Sequence, residues 1–212
     1  MSRYAQLAYT RSVRRQQEQH GSARANAARL IGEPHPDQLG PGEREFIAQR
    51  DGFYLATVSQ TGWPYVQFRG GPPGFLHVLD DRTLAFADVR GNRQYITTGN
   101  LDTDNRVALF VMDYARQRRL KLFGYASHHT PNEDPTLANR LDETRTDGHV
   151  ERIVLIRIEG LDWNCPTHIT PRFTIREIAA VITELKERII ELEQDNGRLR
   201  TLSKDKLAPL PR

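Results

Sequence analysis

The residues best suited to bind an anion lie in one short segment, Asp88-Val89-Arg90-Gly91-Asn92-Arg93, which follows a predicted strand. Glycine lets the backbone approach a ligand closely, and the planar guanidinium fork of Arg93 matches phosphate oxygens. If a helix begins at Gly91 or Asn92 and runs through Thr98, its unpaired N–H groups add to the anion site. The alternative interpretation is a solvated loop with ordinary surface arginines.

A second segment concentrates aromatic and reactive side chains: Trp163, Cys165, His168 and Arg172. It lies between the last predicted strand and a long helix, and prolines stiffen its backbone. One interpretation is a lid over a bound ligand, with Trp163 stacking and His168 or Arg172 near a substrate. The other is a buried connector, with Trp163 in the core and Cys165 as a small hydrophobic residue. A metal site on Cys165 and His168 is the weaker interpretation, because its further ligands would have to come from scattered histidines such as His128, His129 and His149.

Runs of apolar and β-branched residues, separated by turn signals, predict six or seven short strands that position these segments. The runs cover residues 54–58, 64–68, 75–79, 83–87, 107–112, 120–126 and 153–158. Tight turns between them favour antiparallel pairing, and this number of strands favours a small antiparallel barrel. Arg69 follows the second run, from which we expect it to reach the same anion as Arg93.

Helical patterns flank the predicted barrel, so the fold class is mainly β with added helices (α+β). Helices are predicted over residues 12–19, 23–30 and 42–50, and a longer one follows the barrel. The predicted organisation is a helical arm, the barrel, a dimerising helix and a short tail, with the ranges 1–44, 45–173, 174–203 and 204–212.

The C-terminal helix carries a heptad pattern without a break. Position a holds Ile175, Ile182, Ile189 and Asn196, and position d holds Ile178, Leu185, Leu192 and Leu199. Isoleucine at a, leucine at d and a single asparagine at a favour a parallel two-stranded coiled coil, and hence a twofold homodimer. The alternative is an amphipathic helix that lies on its own barrel.

Composition narrows the remaining function classes. The 212 residues include 30 basic and 27 acidic side chains, and a net charge of +3 does not favour a nucleic-acid partner. The single cysteine cannot form an internal disulfide, and no apolar run is long enough to span a membrane. The first residues lack the apolar core of a signal peptide. We therefore expect a cytoplasmic protein that binds neither nucleic acid nor membranes.

Three stretches together resemble the pyridoxamine 5′-phosphate oxidase-related family of FMN-binding split barrels. They are Gly62-Trp63-Pro64-Tyr65-Val66-Gln67, Gly91-Asn92-Arg93 and Asn105-Arg106-Val107-Ala108-Leu109, and the similarity covers residues 45 to 170. The resemblance implies an antiparallel split barrel in which the second strand and the later strand-to-helix turn hold FMN, in a cleft between two subunits. The cofactor-binding residues that it implies are Val66, Gln67, Phe68, Arg69, Gly70, Asp88, Gly91, Asn92 and Arg93.

The chain also departs from the family pattern at two places. Gly71-Pro72-Pro73 stands where pyridoxamine phosphate oxidases have a lysine, and the segment around Trp163 replaces their C-terminal substrate-binding segment. The resemblance therefore implies FMN binding more than vitamin B6 chemistry. We expect an FMN-dependent oxidoreductase that acts on an unknown small molecule, with His168, Trp163 and Arg172 as catalytic candidates. Two alternatives stay open: a non-catalytic module that binds flavin, heme or deazaflavin for sensing or delivery, and a coiled-coil adaptor whose barrel binds a protein.

Overall fold

The computed structural model describes residues 2–142, 148–163 and 167–206, and the chain divides into two compact units, Met1–Ile169 and Thr170–Arg212. The first unit is built on one antiparallel sheet of seven strands in the order β2-β1-β5-β6-β7-β4-β3. The strands are β1 (Gly52–Val58), β2 (Pro64–Gly70), β3 (His77–Val78), β4 (Thr83–Val89), β5 (Arg106–Asp113), β6 (Arg118–His129) and β7 (Val150–Trp163).

The sheet curls on itself, although its pairing order is that of an open sheet. Three strands separate β1 from β4 in the sheet, yet the rings of Phe53 on β1 and Phe86 on β4 meet edge to face at 5.4 Å. Arg69 on β2 likewise reaches Asp88 on β4. The fold is therefore a mainly β, α+β split barrel, as the sequence predicts.

Alternation along the strands separates the barrel interior from its outer surface. On β5, Val107, Leu109 and Val111 are buried in the core, whereas Phe110 is exposed between them. Strand residues with period-two apolar spacing form such surfaces because successive side chains point to opposite faces of the sheet. The same alternation on β2 decides which of its residues can face a ligand.

The helices before the barrel are α1 (Arg3–Ala8), α2 (Arg11–Gln19), α3 (Ala23–Ala27) and α4 (Pro41–Ala48). The three helices predicted in this region are confirmed to within a few residues, whereas α1 was not predicted. Helix α1 packs on the outer side of the sheet, where Tyr4 stacks on Phe123 at 4.5 Å and Arg3 pairs with Glu159 at 2.9 Å. The N-terminal arm therefore belongs to the barrel unit. Two further short helices are α5 (Ile96–Leu101) and α6 (Pro135–Asp142).

Asp113, at the end of β5, links the hairpin that follows it to the start of the barrel. Its carboxylate is 3% exposed and contacts Arg50 at 2.8 Å and Arg116 at 3.2 Å. Burial by itself raises the pKa of this carboxyl, but the backbone N–H of Arg116 and the two guanidinium groups outweigh burial. The pKa of Asp113 in the folded protein therefore lies below its ordinary value.

Stability in acid should depend on Asp113. Because its folded-state pKa is lowered, the ionised carboxylate stabilises the fold above the unfolded-state pKa of about 3.9, and this contribution is lost as the pH falls through the folded-state pKa. We expect Asp113→Asn to destabilise the protein at neutral pH and to flatten the pH dependence of stability below about pH 4. Urea unfolding at a series of pH values measures both effects. If the free energy of unfolding of the variant fell below about pH 4 as steeply as that of the unchanged protein, this role of Asp113 would be contradicted.

The second unit contains one long helix, α7 (Ile175–Lys206), of 32 residues. A reciprocal capping box begins it: Thr174 Oγ1 accepts from the Glu177 N–H at 3.2 Å, and Glu177 Oε2 accepts from the Thr174 N–H at 2.8 Å. Within the described residues, every helix is too short or too polar to cross a lipid bilayer.

Candidate functional site

A cavity of about 150 Å³ opens where β4 ends and β7 begins. Six of the nine predicted cofactor-binding residues line it: Gln67, Arg69, Asp88, Gly91, Asn92 and Arg93. The other three, Val66, Phe68 and Gly70, do not line it. On β2, Tyr65, Gln67 and Arg69 face this cavity, and the residues between them lie on the opposite face because strand side chains alternate. The predicted set therefore includes residues from both faces of β2, and only one of these faces lines the cavity.

A buried carboxylate forms the charged floor of the cavity. Asp88 is 6% exposed, and it accepts from Arg69 Nη1 at 2.7 Å and from Arg152 Nη2 at 3.1 Å. Arg152 also pairs with Glu151 at 3.1 Å. Two partly buried guanidinium groups are thus fixed by one carboxylate, which holds their remaining N–H donors in place.

Glu151 and Arg152 line the cavity but were not predicted from the sequence. They lie more than sixty residues after Asp88, at the start of β7, and reach the site because Asp88 pairs directly with Arg152 in the β4–β7 ladder. No local motif marks them. The signal that would have found them is the pairing register, which places an arginine opposite a strand-end aspartate.

The loop after β4 does not begin a helix at Gly91 or Asn92, so that prediction was wrong. Helix α5 begins at Ile96 instead and has six residues. The reason is local: Arg93 and Tyr95 adopt left-handed φ values of 61° and 53°, which a right-handed helix cannot accommodate. The Asn92 side chain stabilises the turn by accepting from the Gln94 N–H at 3.1 Å.

Arg93 differs from the two arginines of the cavity floor. Among the described residues it pairs with no carboxylate, and its Nε donates to the Tyr95 hydroxyl at 3.4 Å. That hydrogen bond raises the pKa of the Arg93 guanidinium above its ordinary value, so the group stays cationic. Tyr95 is held in turn from β7, since its ring lies under the Arg152 guanidinium at 4.9 Å and its hydroxyl contacts Glu151.

The catalytic candidates are not brought together in this cavity. Trp163 lies eleven residues after Arg152, at the other end of β7, and packs against the core. Its ring meets Phe46 edge to face at 4.8 Å, and its Nε1 donates to Glu43 at 2.7 Å. Trp163 therefore supports the connector interpretation and does not cover the cavity of its own chain.

The rest of the Trp163–Arg172 segment is described in part. His168 is exposed, has a left-handed φ of 67° and does not line the cavity, while Arg172 belongs to the second unit. Cys165 lies outside the described residues. Within the described ranges, no three histidine, cysteine, aspartate or glutamate side chains form a group able to hold a metal ion.

Exposed apolar side chains cover the outside of the sheet beyond this cavity. We name this surface the outer face; its residues are Tyr54, Val66, Phe68, Phe110 and Tyr125. Tyr54 lies between Phe68 and Phe110 in neighbouring strands, and the rings of Tyr54 and Phe68 are 5.4 Å apart. An exposed apolar patch of this kind indicates an interaction surface.

Comparison with protein families identifies the architecture. A family model described as pyridoxamine 5′-phosphate oxidase matches residues 40–155, which is more than half of the chain. The chain belongs to the pyridoxamine 5′-phosphate oxidase family. The matched region contains the whole cavity lining, whereas Trp163, His168 and Arg172 lie beyond it. No curated protein sequence matches the chain.

Solved structures align over more than half of the chain. HupZ of Group A Streptococcus is 16% identical, with a TM-score of 0.48 over 63% of this chain and 98% of that chain. An FMN-binding protein of Syntrophomonas wolfei is 16% identical, with a TM-score of 0.45 over 57% and 83%. An F420 reductase is 21% identical, with a TM-score of 0.42 over 58% and 98%. At these identities the likeness concerns the fold and not the activity.

Proposed function

We propose that this member of the pyridoxamine 5′-phosphate oxidase family is a flavoprotein that binds FMN, with the phosphate in the cavity between β4 and β7. The observation that carries the proposal is the cavity lining, which combines guanidinium groups with the loop that contains Gly91. The resemblance noted in the sequence associates this family with FMN. Three lining arginines, Arg69, Arg93 and Arg152, face two lining carboxylates, Asp88 and Glu151, which leaves one positive charge for an anion.

The donor set fits a phosphate group. Arg69 Nε is buried and has no hydrogen-bond partner among the described residues. A buried N–H without an acceptor is costly, and a phosphate oxygen would satisfy it. Arg93, which pairs with no carboxylate within the described part of the chain, would supply the main charge to the phosphate. Asp88 would act through the two arginines that it orients.

The size of the cavity indicates which part of FMN it holds. Cofactor sites commonly measure about 300–1,000 Å³, and this cavity of about 150 Å³ is too small for the whole molecule. We propose that it holds the phosphate and the adjoining ribityl chain, near Gln67. The ring would lie outside the cavity, against β2, where a second copy of the chain completes the cleft.

The outer face supports such a second copy. Tyr54, Phe68 and Phe110 present a continuous apolar surface, and Phe68 lies on the same strand as Gln67 and Arg69, on its opposite face. A twofold dimer buries the same surface of both subunits, so one self-complementary patch is sufficient. We therefore propose a homodimer, with a flavin site on each side of the shared face.

Bound FMN would supply hydride or electron transfer at N5 of its ring, to or from a small molecule. The chain's own residues would bind the phosphate through Arg93, orient the floor donors through Asp88 and exclude water from the ribityl chain. His168 is our candidate for the substrate side. A cytoplasmic location and oxidoreductase activity are parts of this proposal.

The test is flavin retention by the purified protein. We expect the two-banded absorbance of oxidised flavin to remain with the protein after FMN is added and the sample is desalted. Arg93→Ala should weaken FMN binding by about 10- to 100-fold, because it removes a charge-assisted hydrogen bond to the phosphate. Fluorescence titration measures the loss of affinity.

Arg14→Ala is the matched control, because it removes the same charge from the exposed helix α2 and should leave FMN affinity unchanged. Equal effects of the two variants would indicate a general charge effect and contradict the proposed site. A protein that stays colourless and fails to retain FMN would overturn the flavin proposal. Retention of heme or deazaflavin in its place would favour the alternative cofactors.

A further inference from the structure

We infer that α7 binds α7 of a second copy of this chain as a parallel, in-register, two-stranded coiled coil. The inference does not depend on flavin binding. It rests on the described side chains of the second unit, and it adds an interaction surface to the outer face of the barrel unit.

The apolar seam of α7 is exposed in the single chain. Six of the seven apolar residues at positions a and d are exposed, from 37% at Ile182 to 83% at Ile175, and Ile178 is half-buried. Helices with leucine and isoleucine on one stripe gain most of their stability by burying that stripe. At about 1.5 Å per residue, the 32-residue helix is roughly 48 Å long and carries more than four heptads. That length exceeds the three to four heptads that identify a coiled coil.

The polar residues of α7 specify the partner as a second copy. Asn196 occupies an a position inside the apolar seam, and its amide has a matching partner there when the same residue of a second chain lies opposite. A different apolar helix would leave this amide without a partner in the seam, which is costly. A single asparagine at a also favours two strands and fixes their register.

The flanking charges agree with a parallel arrangement. Arg188 is at position g and Glu193 at the following position e, so that in a parallel pair Arg188 lies near Glu193 of the partner subunit. Asp195 and Arg200 form the same relation one heptad later. Within one helix, Arg188 contacts Glu191 at 2.8 Å, and both side chains are exposed. Exposed ion pairs are weak, so Arg188 can leave Glu191 and pair with Glu193 of the partner subunit.

Disulfide cross-linking tests the arrangement directly, in full-length protein with Cys165→Ser as background. Leu185→Cys and Leu199→Cys each place a thiol at position d, two heptads apart. In a parallel, in-register pair each thiol faces its own counterpart, so each variant alone should form a disulfide-linked dimer under mild oxidation. In an antiparallel pair, residue 185 of one chain would lie near residue 185 or near residue 199 of the other chain, but not near both.

The matched control is Glu187→Cys at position f, which points away from the seam. We expect both d-position variants to cross-link at least tenfold faster than this control. Cross-linking of only one d-position variant, or of the two variants only when they are mixed, would overturn the parallel register. Equal rates at the d and f positions would show random collisions and overturn the coiled coil itself.

Discussion

Replacing Asp88 with asparagine should destabilise the barrel by about 3–5 kcal/mol, because it leaves the partly buried guanidinium of Arg69 without its carboxylate and leaves Arg152 with Glu151 alone. Asp88 is 6% exposed, and the side chains of Arg69 and Arg152 that bind it are 21% and 18% exposed. The variant keeps the shape of the side chain, so the loss isolates the charge. Urea unfolding measures it as a lower transition midpoint.

Asp102→Asn is the control for this prediction. It also removes one carboxylate, which pairs with His128 at 3.0 Å, but the Asp102 side chain is 62% exposed. Exposed polar pairs of this kind are worth less than about 1 kcal/mol, so this variant should unfold close to the midpoint of the unchanged protein. If the two variants lost equal stability, Asp88 would not be the anchor of the cavity floor.

Asp88 also shows which parts of this site could be predicted from the sequence. The segment Asp88–Arg93 could be recognised because glycine and arginine after a strand are a local signal. The partner Arg152 could not, since its place depends on the β4–β7 register and not on neighbouring residues. Strand patterns predict that two segments are strands, but register follows from the packing of the whole sheet.

The loop around Arg93 shows a second limit. Its composition allowed a helix from Gly91, but two residues that carry side chains adopt left-handed conformations, and the helix begins at Ile96. Such conformations are uncommon outside glycine, so propensity does not predict them. Here Tyr95 is tied to β7 through Arg152 and Glu151, and these tertiary contacts offset the local cost.

Trp163 shows the reverse case, in which a conspicuous motif has a structural explanation. Its neighbours in sequence suggested a lid, yet its indole fills the space between Phe46 and Arg118 and donates to Glu43. A partly buried tryptophan packs best with both an apolar contact and an acceptor for its N–H, and α4 supplies both. The seven strands, by contrast, were predictable from runs of apolar and β-branched residues separated by turn signals, because strands bury such side chains in the core.

The heptad seam of α7 gives the second large prediction. Leu185→Asp and Leu192→Asp together should dissociate the proposed coiled coil, since they place four carboxylates in two successive d layers of the seam. Loss of four buried leucines at about 1.5 kcal/mol or more each gives at least ~6 kcal/mol per dimer, or about four decades in the dissociation constant. Sedimentation velocity over a range of concentrations measures the shift.

The control places the same charges off the seam, at position b. Thr183→Asp and Ile190→Asp add two carboxylates per chain, and Ile190, like the seam leucines, is an exposed apolar residue. This variant should remain dimeric, because position b does not face the partner helix in a two-stranded coil. If instead it dissociated as readily as the seam variant, general charge repulsion would explain both.

Flavin retention in the seam variant then tests whether α7 supports the cofactor site. If the FMN cleft lies between two subunits and depends on the coiled coil, the seam variant should lose FMN on desalting and recover it at high protein concentration, because dissociation of the dimer opens the cleft. The off-seam control should keep its flavin at every concentration. A seam variant that is monomeric and still retains FMN would show that one barrel binds the cofactor by itself. One that stays dimeric with its flavin would show that the outer face holds the subunits together, and the coupling between α7 and the site would be wrong.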